Sequence, residues 1–333
     1  MTDVIDRTAT STLFGFDFQT NAAIVLMLEN IKDMTDIRME GYEDVEIKLN
    51  DGSFILAQAK SAVKGSTDFS KALQNLKEAM DSLSDANRAC PTVKQLIYIS
   101  NYANPLTVPS EKHLFAGVPT RRKYHDLPQK SQKKIDDLLS KLPYPFDKSK
   151  LLIQTVPFET NDDKERYKFV IQEIRDFIST MGSISIDIYA LHRIWKDDIF
   201  NSGTKRDSKL KLTKNDIIWP LIVLTTNNVN FDDEDFDDSE TEEITRLYKD
   251  IINICTERYE FVTKVLYSFI SFKEGTNKER IQLFVNSHYK DYAYLIDGIT
   301  MNDEIKESLI KIILRNILKK RIQINGIKEA TNL

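Results

Sequence analysis

The sequence predicts a mixed α/β N-terminal core followed by an all-α C-terminal domain. Between residues 36 and 60 apolar and polar residues alternate, as they do in strands, whereas the flanking segments have the spacing of amphipathic helices. After residue 162 the helical spacing continues almost to the end of the chain. At 333 residues the chain is longer than one ordinary hydrophobic core requires. We therefore expect two domains, over residues 1–158 and 159–333.

The N-terminal core is predicted to follow the order helix, three strands, helix, strand (αβββαβ). These elements are expected at residues 16–31, 36–40, 44–49, 53–60, 69–87 and 93–100. The run Asn50-Asp51-Gly52 predicts a hairpin between the second and third strands, because Asn and Gly tolerate the backbone conformation of tight hairpin turns. Residues 151–158 predict one further strand at the edge of the sheet.

The rest of the chain is predicted to be loop and then helix. Prolines interrupt residues 105–145, which indicates loops. Helices are expected near 163–180, 184–200, 213–226, 240–272, 278–297 and 302–321. Between two of them, residues 231–243 hold nine acidic residues and no basic one, a composition typical of a solvated loop.

Composition excludes several classes of protein. The two cysteines, Cys90 and Cys255, are far apart, so a disulfide framework or a Cys-rich zinc site is not expected. The first residues lack a secretion signal, and no apolar run reaches the length of a membrane span, so we expect a cytoplasmic protein without membrane association. No P-loop or dinucleotide-binding motif is present, and the net charge is −5.

Three polar residues of the predicted hairpin are expected to converge. Gln58 and Lys60 are two positions apart on a strand, so they face the same side of the sheet. With the turn at residues 50–52, Asp44 lies across from them on the neighbouring strand. A carboxylate, an amide and an ammonium group would then share one surface.

This set of groups suits the hydrolysis of a phosphodiester. A carboxylate anchors Mg²⁺ or Mn²⁺, and the metal polarises a phosphate oxygen and lowers the pKa of a bound water. Lys60 can orient or activate that water, and Gln58 and the carbonyl of Ala59 can supply further oxygen ligands. The same spacing also fits ordinary surface residues at strand ends, so spacing alone leaves both interpretations open.

Three short runs resemble a known nuclease domain. They are Gly15-Phe16-Asp17-Phe18-Gln19, Glu40-Gly41-Tyr42-Glu43-Asp44-Val45-Glu46 and Gln58-Ala59-Lys60-Ser61. In this order they resemble the double-strand-DNA endonuclease domain of CBASS effectors and of Lamassu-type defence nucleases. That domain belongs to the PD-(D/E)xK, restriction-endonuclease-like superfamily, and the resemblance covers about residues 12–100.

The resemblance implies a role for five residues. Asp44 matches the metal-binding acid, and Lys60 matches the catalytic lysine. Gln58 matches the second-motif position, where most of the superfamily has Glu or Asp, so the site loses one negative charge and weaker metal binding is expected. Gln19 and Glu40 match supporting positions on the first helix and first strand.

The resemblance also implies a function and partners. The expected reaction is Mg²⁺-dependent cleavage of double-stranded DNA in anti-phage defence. The helical second half is similar to the nuclease subunit of Lamassu-type systems, which works with an SMC-like ABC-type ATPase and a small accessory subunit. Because a free nuclease would damage its own cell, we expect restraint by partners or activation by homo-oligomerisation.

Basic residues outside the hairpin are candidates for binding the DNA backbone. Residues 109–150 hold ten Lys or Arg and five acids, a pattern that fits either a phosphate-contacting loop or a solvated basic loop. The candidates are Lys64, Lys71, Arg121, Arg122 and Lys123. Glu46 shares a strand face with Asp44 and is expected to be either a further ligand or a solvent-facing residue. Glu43 is expected to belong to the loop.

Two alternative functions remain compatible with the sequence. The chain can be a non-catalytic DNA-binding or scaffolding subunit with the same fold, which a cleavage assay with Lys60→Ala distinguishes. It can also cleave RNA by the same chemistry, which only competition between substrates separates.

Overall fold

The chain forms two compact units, and each is described on its own. The structure is a computed structural model that describes residues 10–115, 119–159, 162–182, 184–204, 211–227, 258–276, 279–296 and 302–333. The first unit comprises Met1–Phe177 and Ile188–Lys214, and the second comprises Ile178–Asp187 and Asn215–Leu333. The first unit therefore extends past the boundary at residue 158 that the sequence predicted.

A mixed β-sheet organises the first unit, and the described residues contribute seven strands to it. The strands are β1 (Met34–Met39), β2 (Val45–Leu49), β3 (Phe54–Lys60), β4 (Val93–Ser100), β5 (Thr120–Lys123), β6 (Leu151–Thr155) and β7 (Leu212–Thr213). Their order across the sheet is β5-β6-β4-β3-β2-β1-β7. The pairs β3–β4 and β4–β6 are parallel, and the other pairs are antiparallel.

Helices cover both faces of this sheet. They are α1 (Thr10–Asn30), α2 (Ala72–Ala89), α3 (Gln129–Leu139), α4 (Asp163–Arg166), α5 (Lys168–Ser179), whose last residues pass into the second unit, and α6 (Ile188–Thr204). On one face, Leu56 of β3 packs in a buried cluster with Leu76 of α2 and Ile135 of α3. Ala57, the next residue of β3, points to the opposite face of the sheet. On that face α1 contacts β1, β2 and β3.

The hairpin between β2 and β3 forms where the sequence predicts it. Gly52 has a φ of 81°, which a side chain would disfavour, and the Asp51 carboxylate accepts a hydrogen bond from the Ser53 N–H at 2.9 Å. The register pairs Val45 with Ala57. This turn chemistry therefore fixes which residues of the two strands face each other.

Other parts of the sheet differ from the prediction. The strand expected at the sheet edge, β6, lies inside the sheet between β4 and β5, so its predicted edge position is wrong. Strands β5 and β7 and helix α3 were not predicted. Strand β7 pairs with β1, and α6 packs against α1 and β1. The stretch Ile188–Lys214 therefore belongs to the first unit, although it follows the predicted boundary at residue 158.

The described part of the second unit is helical. Its elements are α7 (Lys214–Asn227, whose first residue belongs to the first unit), α8 (Arg258–Ser271), α9 (Arg280–His288), a 3₁₀ segment (Tyr289–Ile296), α10 (Asp303–Lys319) and α11 (Arg321–Thr331). Helix α10 packs against α8, α9 and the 3₁₀ segment. The helix predicted over 302–321 ends at Lys319, and α11 was not predicted. The predicted acidic loop at 231–243 and the first part of the helix predicted at 240–272 lie outside the described residues.

No helix in the described residues is both long enough and apolar enough to cross a membrane.

Candidate active site

Asp44 is held against the end of β3 by two hydrogen bonds. It directly precedes β2, and the hairpin register places it opposite Gln58. Its Oδ2 atom accepts hydrogen bonds from Gln58 Nε2 at 2.5 Å and from the Ala59 backbone N–H at 2.8 Å. The structure therefore brings together the carboxylate and the amide that the sequence predicted to converge.

Lys60 lies on the same face of β3 as Gln58, two residues further along. Its Nζ is 3.6 Å from Glu78 Oε2 on α2, and its charge acts on Asp44. The Lys60 side chain is 27% exposed, so its ammonium group is accessible from solvent. Because Glu78 is itself half exposed, this ion pair is weak and leaves the ammonium group available to another anion.

Glu40 and Gln19 complete the cluster from β1 and α1. Gln19 Nε2 donates to Glu40 Oε1 at 3.3 Å, and the Gln19 side chain also hydrogen-bonds Asp44. The Glu40 N–H donates to the Asp44 carbonyl at 3.1 Å, which closes the loop between β1 and β2. Glu40 has a φ of 53°, a left-handed conformation that is uncommon for a residue with a side chain.

The five residues line one open cavity. Its volume is about 440 Å³, within the range of small-molecule sites. The walls come from α1, the ends of β1 and β3, the start of β2 and the region where α2 begins. The lining residues are Thr12, Gly15, Phe16, Gln19, Glu40, Asp44, Gln58, Ala59, Lys60, Ser61, Lys71 and Asn75.

The electrostatic environment of Asp44 disfavours its negative charge. Burial raises the pKa of Asp44 to about 6, and the negative charge of Glu40 acts in the same direction. The Ala59 N–H and Lys60 act in the opposite direction but do not cancel this effect. A cation placed between the two carboxylates would favour their ionised forms.

Two acidic residues near the site are buried. Glu43 belongs to the loop between β1 and β2, as predicted, and it is buried there: Ser82 of α2 hydrogen-bonds its carboxyl group, and burial raises its pKa to about 7. Glu46 is also buried, where it pairs with Arg38 at 3.6 Å and accepts a hydrogen bond from the Tyr42 N–H at 3.0 Å. Glu46 is therefore neither solvent-facing nor aimed at the cavity.

The predicted DNA-binding residues fall in two separate places. Lys71 lines the cavity, and Lys64 is exposed in the turns that follow β3. Arg121, Arg122 and Lys123 lie instead on strand β5 at one edge of the sheet. There the Arg121 guanidinium forms an ion pair with Glu29 at 3.3 Å, so its charge is already partly neutralised.

The donor set of the cavity fits a hard divalent cation. Carboxylates of Asp44 and Glu40 and the amide of Gln58 provide the oxygen chemistry that Mg²⁺ prefers, and Mg²⁺ keeps several of its own waters. In the part of the chain that the structure describes, no group of three or more His, Cys, Asp or Glu side chains is placed to hold a metal ion. A metal here would therefore depend on the two carboxylates together with neutral oxygens.

A second polar cluster lies on the other side of α1 and has a different composition. Asp17 forms ion pairs with Lys196 at 2.6 Å and with Arg166 at 3.4 Å, and it accepts a hydrogen bond from the Tyr167 hydroxyl at 2.9 Å. Lys196 also donates to that hydroxyl at 3.0 Å. These contacts join α1 to α4 and α6 through one well-paired carboxylate.

The same cluster continues to a buried histidine. Asn21 Nδ2 donates to Asp17 Oδ1 at 3.2 Å, so its Oδ1 is free to accept from His192 Nε2 at 2.8 Å. Burial lowers the pKa of His192 to about 4, and the positive charge of Lys196 contributes. His192 is therefore neutral at pH 7, as expected for a packed residue.

Comparison with known proteins gives little beyond the geometry. No protein-family model matches the chain, and no curated protein matches it. Among solved structures, the Cap4 SAVED/CARF-domain containing receptor of Acinetobacter baumannii, bound to the cyclic trinucleotide 3'3'3'-cAAA, is 15% identical with a TM-score of 0.34. The corresponding receptor of Moraxella osloensis is 17% identical, also with a TM-score of 0.34.

These two similarities are partial. Each alignment covers 62% of this chain and 45% or 47% of the receptor, so the chain spans less than half the length of either. At this TM-score the similarity establishes neither a shared fold nor a shared function.

Proposed function

We propose that this chain is a Mg²⁺-dependent DNA endonuclease with a restriction-endonuclease-like core, a Gln-x-Lys variant of the PD-(D/E)xK pattern. The observation that supports this most directly is the contact of Asp44 with Gln58 and Ala59, with Lys60 beside it at an open cavity. Three motif residues that are separated in sequence thus share one surface, in the arrangement that the resemblance implies.

Asp44 and Glu40 are the proposed anchors of the metal ion. Burial, and to a smaller extent the charge of Glu40, disfavours the ionised form of Asp44, and a divalent ion bound to both carboxylates would offset both effects. Gln58 contributes an amide in place of a third carboxylate. When bound, Mg²⁺ supplies a polarised phosphate oxygen and a water of lowered pKa.

Lys60 is the proposed residue that contacts the reacting groups from the side of β3. Its ammonium group orients the attacking water and stabilises the charge that grows on the phosphoryl oxygens. Gln19 holds Glu40 and Asp44 in place from α1, so its role is positioning. Lys71, on the same cavity wall, offers a second positive charge to the DNA backbone.

The cellular role is proposed from the sequence resemblance alone. The chain would act as the nuclease effector of a bacterial anti-phage system, restrained and activated by partner subunits such as an SMC-like ABC-type ATPase and a small accessory subunit. Homo-oligomerisation on activation is also part of this proposal, because cutting both strands requires two active sites. The alternative is a non-catalytic DNA-binding or scaffolding subunit of the same complex.

A plasmid-cleavage assay tests the proposal. Supercoiled plasmid is incubated with the full chain in Mg²⁺ or Mn²⁺, with and without chelator, and the wild type is compared with Lys60→Ala. Lys94→Ala is the matched control, because Lys94 lies on β4 of the same sheet, is 55% exposed and does not line the cavity. Cleavage by the wild type and by Lys94→Ala, lost in Lys60→Ala and with chelator, supports a nuclease. Because the proposal includes homo-oligomerisation on activation, the assay is run up to protein concentrations at which the chain self-associates. Binding of plasmid without cleavage at every concentration favours the scaffolding alternative.

A further inference from the structure

The wall that α1 contributes to the cavity contains an unexplained glycine. Gly15 is the sixth residue of α1, inside the helix, and a Cβ atom built there would meet no atom of the described residues within 4 Å. Glycine inside a helix is less stable than alanine by roughly 1 kcal/mol. Neither backbone conformation nor packing requires glycine at this position, whereas the position does line the cavity. The open space above Gly15 therefore belongs to the cavity.

The neighbouring residue of the same wall is an exposed aromatic. Phe16 is 47% exposed and lines the cavity, whereas Phe14 and Phe18 on the same helix are 7% and 1% exposed. An aromatic face left open to water, beside a polar cavity, can be covered by a flat apolar group. Nucleobases are such groups, and stacking on an aromatic side chain is a common way for proteins to hold them.

The charges across the cavity complement this wall. Lys60 and Lys71 line the same cavity as Phe16 and bring two positive charges to it, beside the carboxylates of Glu40 and Asp44. A nucleotide combines an anionic phosphate with an uncharged base and a sugar between them. The cavity volume of about 440 Å³ lies in the range of sites for ligands of this size.

We propose that Gly15 and Phe16 form the binding wall for one nucleotide next to the cleaved phosphate, with its sugar against Gly15 and its base against the Phe16 ring. This inference rests on the proposed nuclease function and names the part of the substrate that the cavity recognises. Because a base must leave the helical stack to reach an aromatic wall, the protein favours DNA that is unstacked or distorted at the cut. Gly15 and Phe16 are thus specificity-determining residues.

The first test uses Gly15→Ala, for which stability and binding are expected to change in opposite directions. The new methyl group occupies open space, so the melting temperature of the full chain rises by roughly 1–3 °C. The same methyl group enters the space assigned to the sugar, so the KM for DNA cleavage rises by about tenfold. If Gly15 had only a structural role, Gly15→Ala would raise the melting temperature without raising the KM.

The second test uses Phe16→Ala and the conservative Phe16→Tyr. Loss of one stacked base weakens DNA binding by about 5- to 100-fold, and Phe16→Tyr restores it. Leu13→Ala is the control, because Leu13 is 66% exposed on the same helix and does not line the cavity. Binding is measured by fluorescence anisotropy of a labelled duplex with an unpaired base at its centre, in a Lys60→Ala background that removes cleavage.

The outcomes separate the inference from the proposed function. Unchanged KM in Gly15→Ala and unchanged anisotropy in Phe16→Ala, with a wild type that cleaves DNA, overturn the inference alone. Weaker DNA binding by Gly15→Ala and by Phe16→Ala, both measured by the same anisotropy assay, supports the inference even when the wild type binds DNA without cleaving it, an outcome that contradicts the nuclease proposal. A wild type that neither cleaves nor binds DNA overturns both.

Discussion

Two polar clusters contact the same helix, α1, and the central carboxylate of each cluster has a different kind of partner. On one side, Asp17 is paired with two cations, Lys196 and Arg166, and with the Tyr167 hydroxyl. On the other side, Asp44 accepts hydrogen bonds from neutral groups and forms no ion pair with any described residue. The first cluster also lies in a packed region between helices, whereas the second opens into a cavity.

The comparison distinguishes a structural polar cluster from one suited to function. When a largely buried charge is fully paired, removing one partner leaves the other uncompensated, which is destabilising. An acid that is partly desolvated and forms no ion pair is destabilising on its own, and such groups concentrate at functional sites. Asp17 fits the first description, and Asp44 fits the second.

The largest expected effect is on the cleavage rate, and it distinguishes the proposed catalytic role of Lys60 from the structural role of Lys196. Lys60→Ala removes the ammonium group beside Asp44, and plasmid cleavage falls by about 10²- to 10⁴-fold. Lys196→Met keeps the length of the side chain in the Asp17 cluster and leaves the cleavage rate of the remaining folded protein within about threefold of the wild type. Equal loss of activity in the two variants, measured at matched folded fraction, would contradict the distinction.

The next largest effect is on stability, and it distinguishes the structural role of Asp17 from the role of Asp44. Asp17→Ala leaves Lys196 and Arg166 without their shared carboxylate, and because the cluster is only partly exposed it lowers the free energy of unfolding by about 1–3 kcal/mol. Asp44→Asn removes a disfavoured charge, so at pH 7 the free energy of unfolding stays the same or rises. Urea denaturation measures both. A destabilisation of Asp44→Asn as large as that of Asp17→Ala would show that both clusters are structural.

A smaller effect appears when the pH is changed. Because His192 has its pKa lowered to about 4 from 6.5, the unfolded chain binds more protons than the folded chain between these values. Its contribution to stability is therefore complete above about pH 6.5 and is lost as the pH falls toward 4. Burial raises the pKa of Glu43 and of Asp44, so these groups change the stability in the opposite direction over this range, and they are common to the parent and to a His192 variant. Between pH 7 and pH 5 the parent is therefore expected to lose about 2 kcal/mol relative to His192→Gln.

Fluorescence of Trp195, which lies on α6 three residues from His192, reports this change. The second tryptophan, Trp219, is replaced by Phe so that the signal comes from the first unit. His192→Gln is the control, since an amide donates to Asn21 but does not titrate. If the difference in stability between the parent and His192→Gln is the same at pH 7 and at pH 5, His192 does not make this contribution.

The smallest expected effect concerns the backbone of Glu40. Glu40→Gly relieves the left-handed conformation at φ 53° and raises the free energy of unfolding by about 0.5–1 kcal/mol, while it removes a proposed metal ligand. Glu40→Gln removes the charge but keeps the strained backbone, so it lacks that gain. Thermal unfolding of the two variants gives the difference. Identical melting temperatures would show that the conformation carries no strain.

Local patterns were sufficient to predict the hairpin of the site. Alternation, the Asn50–Gly52 turn and a two-residue strand period together placed Asp44 opposite Gln58 and put Lys60 on the same face. The catalytic roles of these residues stay a prediction. The burial of Glu43 could not be predicted, because side chains in a loop follow no period and the α2 residue that receives it is 39 positions away.

Strands β5 and β7 were not predicted for a related reason. Strand β5 has four residues and β7 has two, which is too short for alternation to be visible, and both are held by pairing with distant strands. The position of β6 inside the sheet likewise depends on β5, which the sequence did not reveal. Glu46 was misassigned because its partner, Arg38, belongs to another strand. Pairing with another strand, rather than local propensity, decided each case.

The cavity is made from one continuous stretch of chain, and this has a consequence for its synthesis. All of its lining residues fall between Thr12 and Asn75. Of the strands that carry them, β1, β2 and β3 form antiparallel pairs that are local in sequence. A ribosome adds about 5–20 residues per second, so these residues emerge many seconds before the helices of the second unit. The residues of the pocket are therefore available for local strand pairing on the nascent chain before the helices of the second unit have been made.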